Sequence, residues 1–399
     1  MKNKVVFAAA GNGKTYSICS EAKASLGTGT KCVLMISYTN EGVHALENEY
    51  RKQNDGVIDN RIIIKSWYSF MLSEFIKPYQ CTLQLKYKVQ LQEKTIRIPE
   101  NYIRSIAFYQ TEEPPRWYNQ EHLQYYVNTG HDLIPDRVSM LAIKCNENSA
   151  NGALRRLEGI YSHVFIDELQ DYAGWDLEII RLLFKSAISI KCVGDYKQAT
   201  YRTNNSLKNK QYRDEAIKLF FEEMSKNKHC QIEYANTTRR FNQAICDFIN
   251  LIHSDIESTI EPDEVRKAEI QSENSGIYII DTENLSLYCN YYNPTILRYN
   301  KRTKIMFEYA PNAVFNYGGS KGATFERVVI VPVKTVIPFI EKQENITANQ
   351  TRSKFYVACT RARTSVVFAI DKHDLGSRYT QVLMDIGGKT IPVYKFKYQ

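Results

Sequence analysis

Near the N-terminus, an apolar run passes through a glycine turn into a helical pattern. Residues 4–7 predict a strand and residues 14–22 a helix, and between them lies Ala8-Ala9-Ala10-Gly11-Asn12-Gly13. Such a turn points backbone N–H groups at phosphate oxygens, and the helix dipole adds to the attraction. Similar strings occur in unrelated loops, but the strand before and the helix after favour a nucleoside triphosphate site.

The expected contacts with the nucleotide follow from this geometry. Lys14 is expected to reach the β- and γ-phosphates, and the Thr15 hydroxyl to hold Mg²⁺. We predict that ATP is bound by the turn and the start of the helix, at Ala10, Gly11, Asn12, Gly13, Lys14, Thr15 and Tyr16. ATP and Mg²⁺ are therefore the expected cofactors.

The composition favours a soluble, cytoplasmic protein without a membrane partner. Of the 399 residues, 43% are hydrophobic, but no apolar run approaches membrane-spanning length. Nine cysteines are dispersed without a Cys-x-x-Cys pair, which is typical of reduced thiols in a cytosol. The net charge of +8 is a mild excess that does not by itself indicate a polyanionic partner.

Buried-strand runs alternate with helical patterns, which predicts an α/β fold with parallel sheets. The first set of runs covers residues 4–7, 32–37, 61–64, 163–167 and 188–194, and the second covers 276–281, 295–299, 327–333 and 365–370. We predict a first lobe over residues 1–226 and a second over 227–399. Residues 77–128, rich in Tyr, Gln and Lys and broken at Glu112-Glu113-Pro114-Pro115, show no clear strand and predict an inserted subdomain in the first lobe.

A second chemical signal is Val164-Phe165-Ile166-Asp167-Glu168-Leu169-Gln170-Asp171. An apolar strand that ends in Asp-Glu places two carboxylates at the edge of the sheet beside the glycine turn. Asp167 is expected to hold Mg²⁺, and Glu168 to orient and deprotonate the attacking water. An Asp-Glu pair can also merely cap a helix, but the preceding glycine turn favours the catalytic interpretation.

These residues resemble superfamily 1 helicases of the UvrD/Rep/PcrA type, whose second motif reads Asp-Glu-x-Gln-Asp. Six further segments match in order: Ser37-Tyr38-Thr39-Asn40, Lys65-Ser66-Trp67-Tyr68-Ser69-Phe70, Gly194-Asp195-Tyr196-Lys197-Gln198-Ala199-Thr200-Tyr201, Thr238-Arg239, Ser320-Lys321-Gly322-Ala323-Thr324-Phe325 and Tyr356-Val357-Ala358-Cys359-Thr360-Arg361-Ala362-Arg363. Each is weak alone, but the ordered set is specific.

The resemblance implies two RecA-like P-loop lobes with a small insertion in the first, and ATP between them. The implied catalytic residues are Lys14, Glu168, Gln198, Arg239 and Arg361. Gln198 is implied to sense the γ-phosphate, and the two arginines to reach it from the second lobe. Contacts with single-stranded DNA are implied for Thr39, Asn40, Ser66, Trp67, Tyr68, Tyr201, Ser320 and Lys321. Taken singly, however, arginines are more often surface ion-pair residues.

The chain also departs from the family. The tyrosine that stacks on adenine is Thr238 here, and Tyr16 either supplies that surface or packs on its own helix. The second base-stacking aromatic is Thr203, and the ribose-contacting glutamate is Thr324. Both inserted subdomains are reduced. Reduced relatives of this kind suggest a subunit of a DNA-processing or phage-defence complex, with a nuclease as a candidate partner.

We therefore predict an ATPase that is stimulated by single-stranded DNA and moves along it, with 3′-to-5′ polarity implied by the resemblance. No single residue decides between DNA and RNA. One alternative is a non-translocating ATPase switch that regulates a partner nuclease, which would share every ATP-site residue. A small-molecule kinase is disfavoured by the Asp-Glu-x-Gln-Asp segment and by the second, arginine-bearing lobe.

Overall fold

The structure, a computed structural model, describes residues 2–27, 29–90, 92–108, 117–253, 259–268, 273–305, 313–371 and 374–397. The predicted breaker at 112–115 lies outside these ranges. Two compact units are present. The first comprises Met1–Val6, Lys14–Gly194 and Arg202–Glu233, and the second comprises Phe7–Gly13, Asp195–Tyr201 and Tyr234–Gln399. Each unit is therefore built from separate stretches of the chain, and the assignment of lobes to 1–226 and 227–399 stays a prediction.

The strands are β1 (Lys4–Ala8), β2 (Cys32–Ser37), β3 (Ile62–Ser66), β4 (Gln84–Val89), β5 (Gln92–Arg97), β6 (Tyr161–Ile166), β7 (Ser189–Gly194), β8 (Gln231–Ala235), β9 (Thr237–Thr238), β10 (Glu261–Pro262), β11 (Gly276–Ile280), β12 (Thr295–Arg298), β13 (Val314–Asn316), β14 (Phe325–Val331), β15 (Ala362–Ala369), β16 (Tyr379–Ile386) and β17 (Lys389–Phe396).

The helices are α1 (Lys14–Ala24), α2 (Asn40–Gln53), α3 (Trp67–Phe70), α4 (Val138–Asn148), α5 (Gly152–Ile160), α6 (Asp176–Phe184), α7 (Ile217–Lys226), α8 (Gln243–Ile252), α9 (Glu264–Ala268), α10 (Thr282–Tyr292), α11 (Ile337–Lys342) and α12 (Asn349–Cys359). A π-helical segment, Met71–Ile76, continues α3. None of the helices in the described ranges is both long and apolar enough to cross a membrane.

The first sheet has the strand order β3-β2-β6-β7-β1-β8. The pairs β2–β3, β2–β6 and β6–β7 are parallel. Val33, Leu34, Met35 and Ile36 in β2 are fully buried, as expected for a parallel strand covered on both faces. Segments that the sequence analysis predicts to be functional follow the carboxyl ends of β2, β3, β6 and β7, which is where open α/β sheets place their ligand sites.

The inserted region contains strands that the sequence analysis missed. β4 and β5 form a separate antiparallel two-stranded sheet outside the six-stranded one. The prediction that residues 77–128 show no strands was therefore wrong. The reason is physical, because β5 exposes nearly all of its side chains and β4 buries only Leu85 fully. A hairpin that is exposed to solvent on both faces contains few apolar residues, so its sequence lacks the periodic hydrophobic pattern that predicts a strand.

The second sheet has the order β13-β12-β14-β15-β11-β17-β16. Its pairs from β13 to β11 are parallel, while β17 pairs antiparallel with both β11 and β16. Phe248 of α8 lies among the rings of Phe339, Phe355, Phe368 and Phe396 in the core of one face. The predicted fold class, α/β with parallel sheets in two RecA-like parts, is confirmed.

Candidate nucleotide and nucleic-acid sites

Five of the predicted nucleotide residues belong to the first unit: Lys14, Thr15, Tyr16, Asp167 and Glu168. Lys14 and Thr15 are the first residues of α1, and Asp167 and Glu168 directly follow β6. The Asp167 N–H continues the sheet by donating to the Ile36 carbonyl at 2.8 Å. The Asp167 side chain is nearly buried, and its Oδ1 accepts the Glu168 N–H at 2.8 Å. The sheet therefore holds the Asp167 backbone, and the Glu168 N–H orients its carboxylate.

Glu168 has a left-handed backbone, with φ 56° and ψ 44°. This conformation costs a non-glycine residue roughly 1–2 kcal/mol, and such strain tends to collect at functional sites. The Gln170 side-chain amide donates to Glu168 Oε2. Gly194 makes room for Gln170, because a Cβ at position 194 would lie 2.3 Å from Gln170 Oε1. The Asp-Glu-x-Gln-Asp segment thus holds its glutamate in one orientation.

The glycine turn, residues Phe7–Gly13, belongs to the second unit. Gly11 and Gly13 have φ values of 76° and 88°, which glycine adopts without steric cost. A Cβ on Gly11 would lie 2.5 Å from Arg240 Cβ and 2.6 Å from Thr238 Oγ1, whereas one on Gly13 would meet nothing within 4 Å. Gly11 is therefore required for close packing, and Gly13 leaves open space beside the backbone.

The segment that contains β9 holds the carbonyl groups of this turn. The Thr238 hydroxyl donates to the Ala10 carbonyl at 2.8 Å, and the Arg239 N–H donates to the Gly11 carbonyl at 3.0 Å. The Asn12 side-chain amide donates to the Thr237 carbonyl at 2.9 Å. Because its hydroxyl is used in this way, the buried Thr238 fixes the turn and has no surface for stacking on a base. Tyr16 is 54% exposed, which favours the hypothesis that it offers such a surface.

Within the second unit, a buried hydrogen-bonded network joins Asp195, Gln198, Tyr356 and Arg361. Asp195 Oδ2 accepts from the Gln198 side-chain amide at 2.9 Å and from the Tyr356 hydroxyl at 3.2 Å. Arg361 Nη2 donates to Gln198 Oε1 at 3.3 Å. Burial raises the pKa of Tyr356 well above its ordinary value, and the nearby Asp195 adds to the rise. The hydroxyl therefore stays protonated and remains a donor.

The two predicted arginines have different environments. Arg361 is 1% exposed, and it also donates from Nε to the Val357 carbonyl at 2.9 Å and from Nη2 to Thr360 Oγ1 at 3.0 Å. The Arg239 side chain is 69% exposed, with its Nε 3.4 Å from Asp263 Oδ2. The surface ion-pair interpretation therefore fits Arg239 and does not fit Arg361.

The predicted strand-contacting residues of the first unit differ in exposure. Thr39 is exposed and caps α2 by accepting the Gly42 N–H at 3.0 Å, and the exposed Asn40 begins that helix. Ser66 is partly buried and caps α3 through the Ser69 N–H. Trp67 is fully buried, and Tyr68 is 8% exposed. A role for these two side chains in stacking on bases is not supported by this structure.

The burial of Trp67 and Tyr68 has a clear chemical cause. The Trp67 indole N–H donates to Asp176 Oδ1 at 2.8 Å, and the Tyr68 hydroxyl donates to the Thr203 carbonyl at 3.2 Å. Burial raises the pKa of Asp176 to about 6, although hydrogen bonds from Ser139, Thr203 and Trp67 oppose the rise. Both aromatic side chains therefore satisfy polar groups inside the first unit.

In the second unit, Tyr201 is 49% exposed. Its hydroxyl lies against Gly318, because a Cβ added to Gly318 would be 3.3 Å from the Tyr201 hydroxyl oxygen. Lys321 is partly exposed, while Ser320 is fully buried and donates to the Tyr317 carbonyl at 2.7 Å. The structure thus brings Tyr201 to the segment that contains Ser320 and Lys321. The Ser320 side chain itself is a structural contact.

Sequence reasoning assigned no role to Asp195, Tyr356 or Asp176. An aspartate directly after a strand was a usable signal for Asp195, as it was for Asp167. Asp176 begins a helix, with no pattern to separate it from other capping residues. Tyr356 begins a matched segment, but nothing in that segment predicted its hydrogen bond to Asp195. Their roles appear only when the fold brings distant segments together.

The fold and these segments define a P-loop nucleotide hydrolase with two α/β units. The sequence model of the viral superfamily 1 RNA helicase core domain matches residues 153–370, which is more than half of the chain. That of the UvrD/REP helicase N-terminal domain matches residues 44–209. The chain therefore belongs to the superfamily 1 helicases.

Solved helicase structures also match. A crystal structure of Arterivirus nonstructural protein 10 (helicase) matches at 12% identity and a TM-score of 0.45, covering 92% of this chain and 59% of that one. The complex of the same helicase with DNA matches at 12% identity and a TM-score of 0.42, covering 92% and 60%. The chain thus spans about 60% of the length of these helicases. No curated protein sequence matches the chain.

Proposed function

We propose that this protein is an ATP-driven motor on single-stranded DNA. The observation that carries the proposal is the contact between Arg361 and Gln198, which lie 163 residues apart in sequence. The resemblance implies that both act on the γ-phosphate, and in the second unit they share a buried hydrogen bond. An arginine held in this way can stabilise the charge that develops on the transferred phosphoryl group.

The residues of the nucleotide segments fit ATP and Mg²⁺. Gly11 and Gly13 have the positive φ values that a phosphate-binding turn uses, and the space beside Gly13 is open. Thr15 and Asp167 offer a hydroxyl and a carboxylate, which are ligand types that Mg²⁺ prefers. When bound, Mg²⁺ would neutralise charge on the phosphate oxygens. Lys14 would bind the β- and γ-phosphates, and Glu168 would accept the proton of the attacking water.

We restrict the proposed contacts with the strand to predicted residues whose side chains are at least partly exposed. Thr39 and Asn40 of the first unit and Tyr201 and Lys321 of the second expose surface to a strand. DNA and 3′-to-5′ movement are proposed from the resemblance of the motifs to UvrD-type helicases. The family with the longer match is named for RNA, so RNA-stimulated turnover is the competing outcome.

One observation favours a second candidate, a non-translocating ATPase switch that regulates a partner such as a nuclease in phage defence. Trp67 and Tyr68 are buried, which disfavours the strand contacts predicted for them and does not bear on the ATP segments. A switch of this kind would hydrolyse ATP equally fast with and without a strand. A motor requires the strand to change the rate.

The role of Arg361 can be tested against a neighbouring arginine. Arg361→Ala should lower ATP turnover by at least 10³-fold, because an arginine on the transferred phosphoryl group contributes 10³–10⁵-fold, roughly. ATP affinity should change little. Arg363→Ala is the matched control, because the side chain of Arg363 is 46% exposed. The Arg363→Ala variant should hydrolyse ATP at close to the wild-type rate. Normal turnover in Arg361→Ala would refute the assignment, provided that thermal melting shows the variant to be folded.

A further inference from the structure

A cluster of three rings lies in the first unit, where the inserted region meets the strand-contacting segments. The Tyr68 ring centroid lies 5.8 Å from that of Tyr38 and 5.2 Å from that of Phe108. Tyr38 follows β2 and Tyr68 lies in α3, whereas Phe108 belongs to the inserted region. These three residues, the aromatic cluster, therefore join the insertion to two motifs that the resemblance associates with DNA.

Within the aromatic cluster, Phe108 is the most exposed residue. It is 59% exposed, against 8% for Tyr68. Its ring meets that of Tyr68 edge to face, at an interplanar angle of 81°. The backbone beside it is held, because the Ala107 N–H donates to the Leu133 carbonyl at 2.8 Å. One exposed aromatic residue is ordinary in itself, but this ring contacts a buried ring and still remains mostly exposed.

The neighbourhood of Phe108 suggests a role for this exposed ring. The resemblance to UvrD-type helicases implies a second base-stacking aromatic at the position of Thr203. Here Thr203 is buried, with its hydroxyl accepting the Ala173 N–H at 2.9 Å and its carbonyl accepting the Tyr68 hydroxyl at 3.2 Å. The Thr203 backbone therefore contacts Tyr68, and the ring of Tyr68 in turn contacts that of Phe108. At this point the chain has a threonine where the resemblance implies an aromatic residue, and an exposed aromatic residue lies beside it.

We propose that Phe108 stacks on a base of single-stranded nucleic acid, in place of the aromatic that Thr203 replaces. The proposal rests on the proposed function and adds a residue from the inserted region to its strand-binding surface. An exposed phenyl ring suits the flat face of any base, so the contact would be independent of sequence. Tyr38 belongs to the same cluster, and the exposed Thr39 and Asn40 directly follow Tyr38 in the chain.

The test uses short single-stranded DNA oligonucleotides that carry 2-aminopurine at one position at a time. The fluorescence of this base falls when it stacks. Phe108→Ala should weaken binding by about 5- to 150-fold, the usual effect of one stacking residue. It should also restore fluorescence at one position of the strand. Phe108→Tyr, which keeps the ring, should bind and quench as the wild type does.

Trp117→Ala is the matched control. Trp117 is a 67% exposed aromatic in the same inserted region, and its ring contacts that of Tyr118, so its loss should leave affinity and quenching unchanged. If Tyr201→Ala weakens binding but Phe108→Ala does not, the role of Phe108 is refuted while the proposed function stands. If the wild-type protein binds no strand, the proposed function itself is refuted, and the role of Phe108 with it.

Discussion

Glu168 combines a proposed catalytic role with a strained backbone, and two substitutions separate these properties. Its left-handed conformation, φ 56° and ψ 44°, costs a glutamate or a glutamine roughly 1–2 kcal/mol, whereas asparagine visits this region more readily. Glu168→Asn should therefore unfold with a free energy about 1 kcal/mol higher than Glu168→Gln. For a domain of 150–250 residues, that difference raises Tm by about 2–4 °C.

Both substitutions remove the carboxylate, so both should lower ATP turnover by roughly 10²–10⁴-fold while nucleotide binding is retained. Steady-state ATPase rates, nucleotide titration and thermal melting measure the three quantities. Turnover near the wild-type rate in Glu168→Gln would show that Glu168 is not the base. Equal melting temperatures for the two variants would show that the backbone at position 168 stores no strain.

Three further predictions concern the residues around the two sites. Gly11→Ala should lower Tm more than Gly13→Ala, because both have positive φ but only Gly11 would also place a Cβ 2.5 Å from Arg240 Cβ. Tyr356→Phe should reduce turnover more than ATP affinity, because it removes a hydrogen bond that holds Asp195 and through it Gln198. Its control is Tyr288→Phe, which loses a buried contact with Ser365 and should affect stability alone; equal turnover in the two variants would refute the prediction. Finally, because burial raises the pKa of Asp176 from 3.8 to about 6, its ionisation opposes folding as pH rises through that interval. Urea unfolding should therefore show Asp176→Asn losing less stability than the wild type between those pH values, and parallel curves would contradict this.

The sequence predicted the buried parallel strands well. The strand at Cys32–Ser37 was placed with both of its ends, because a strand covered on both faces carries a continuous apolar run. Motifs at the carboxyl ends of such strands could be located for the same reason. The strand at Ile62–Ser66 was predicted as residues 61–64, beginning one residue early and ending two residues early, since Lys65 and Ser66 interrupt the apolar run.

Hairpins and the fate of individual side chains could not be predicted as well. The β16–β17 hairpin was missed, although Gly387 and Gly388, with φ values of 60° and 83°, form a turn pair that favours hairpins. Motif position alone made Trp67 a strand contact, but its indole N–H has a buried partner in Asp176. Thr238 is likewise bonded to Ala10. Such partners lie far away in sequence and become visible only in the fold.

The most direct test of the motor function is the ATPase rate of the purified protein with and without single-stranded DNA. A motor predicts a clear rise in turnover with the strand, lost in Tyr201→Ala at strand concentrations near the wild-type Kd and weakened by salt as phosphate contacts are screened. Strand displacement should occur on a 3′-tailed duplex and not on a 5′-tailed one, with the reduced insertions keeping the isolated chain slow. Equal ATPase rates with and without DNA or RNA would contradict the motor and leave the switch.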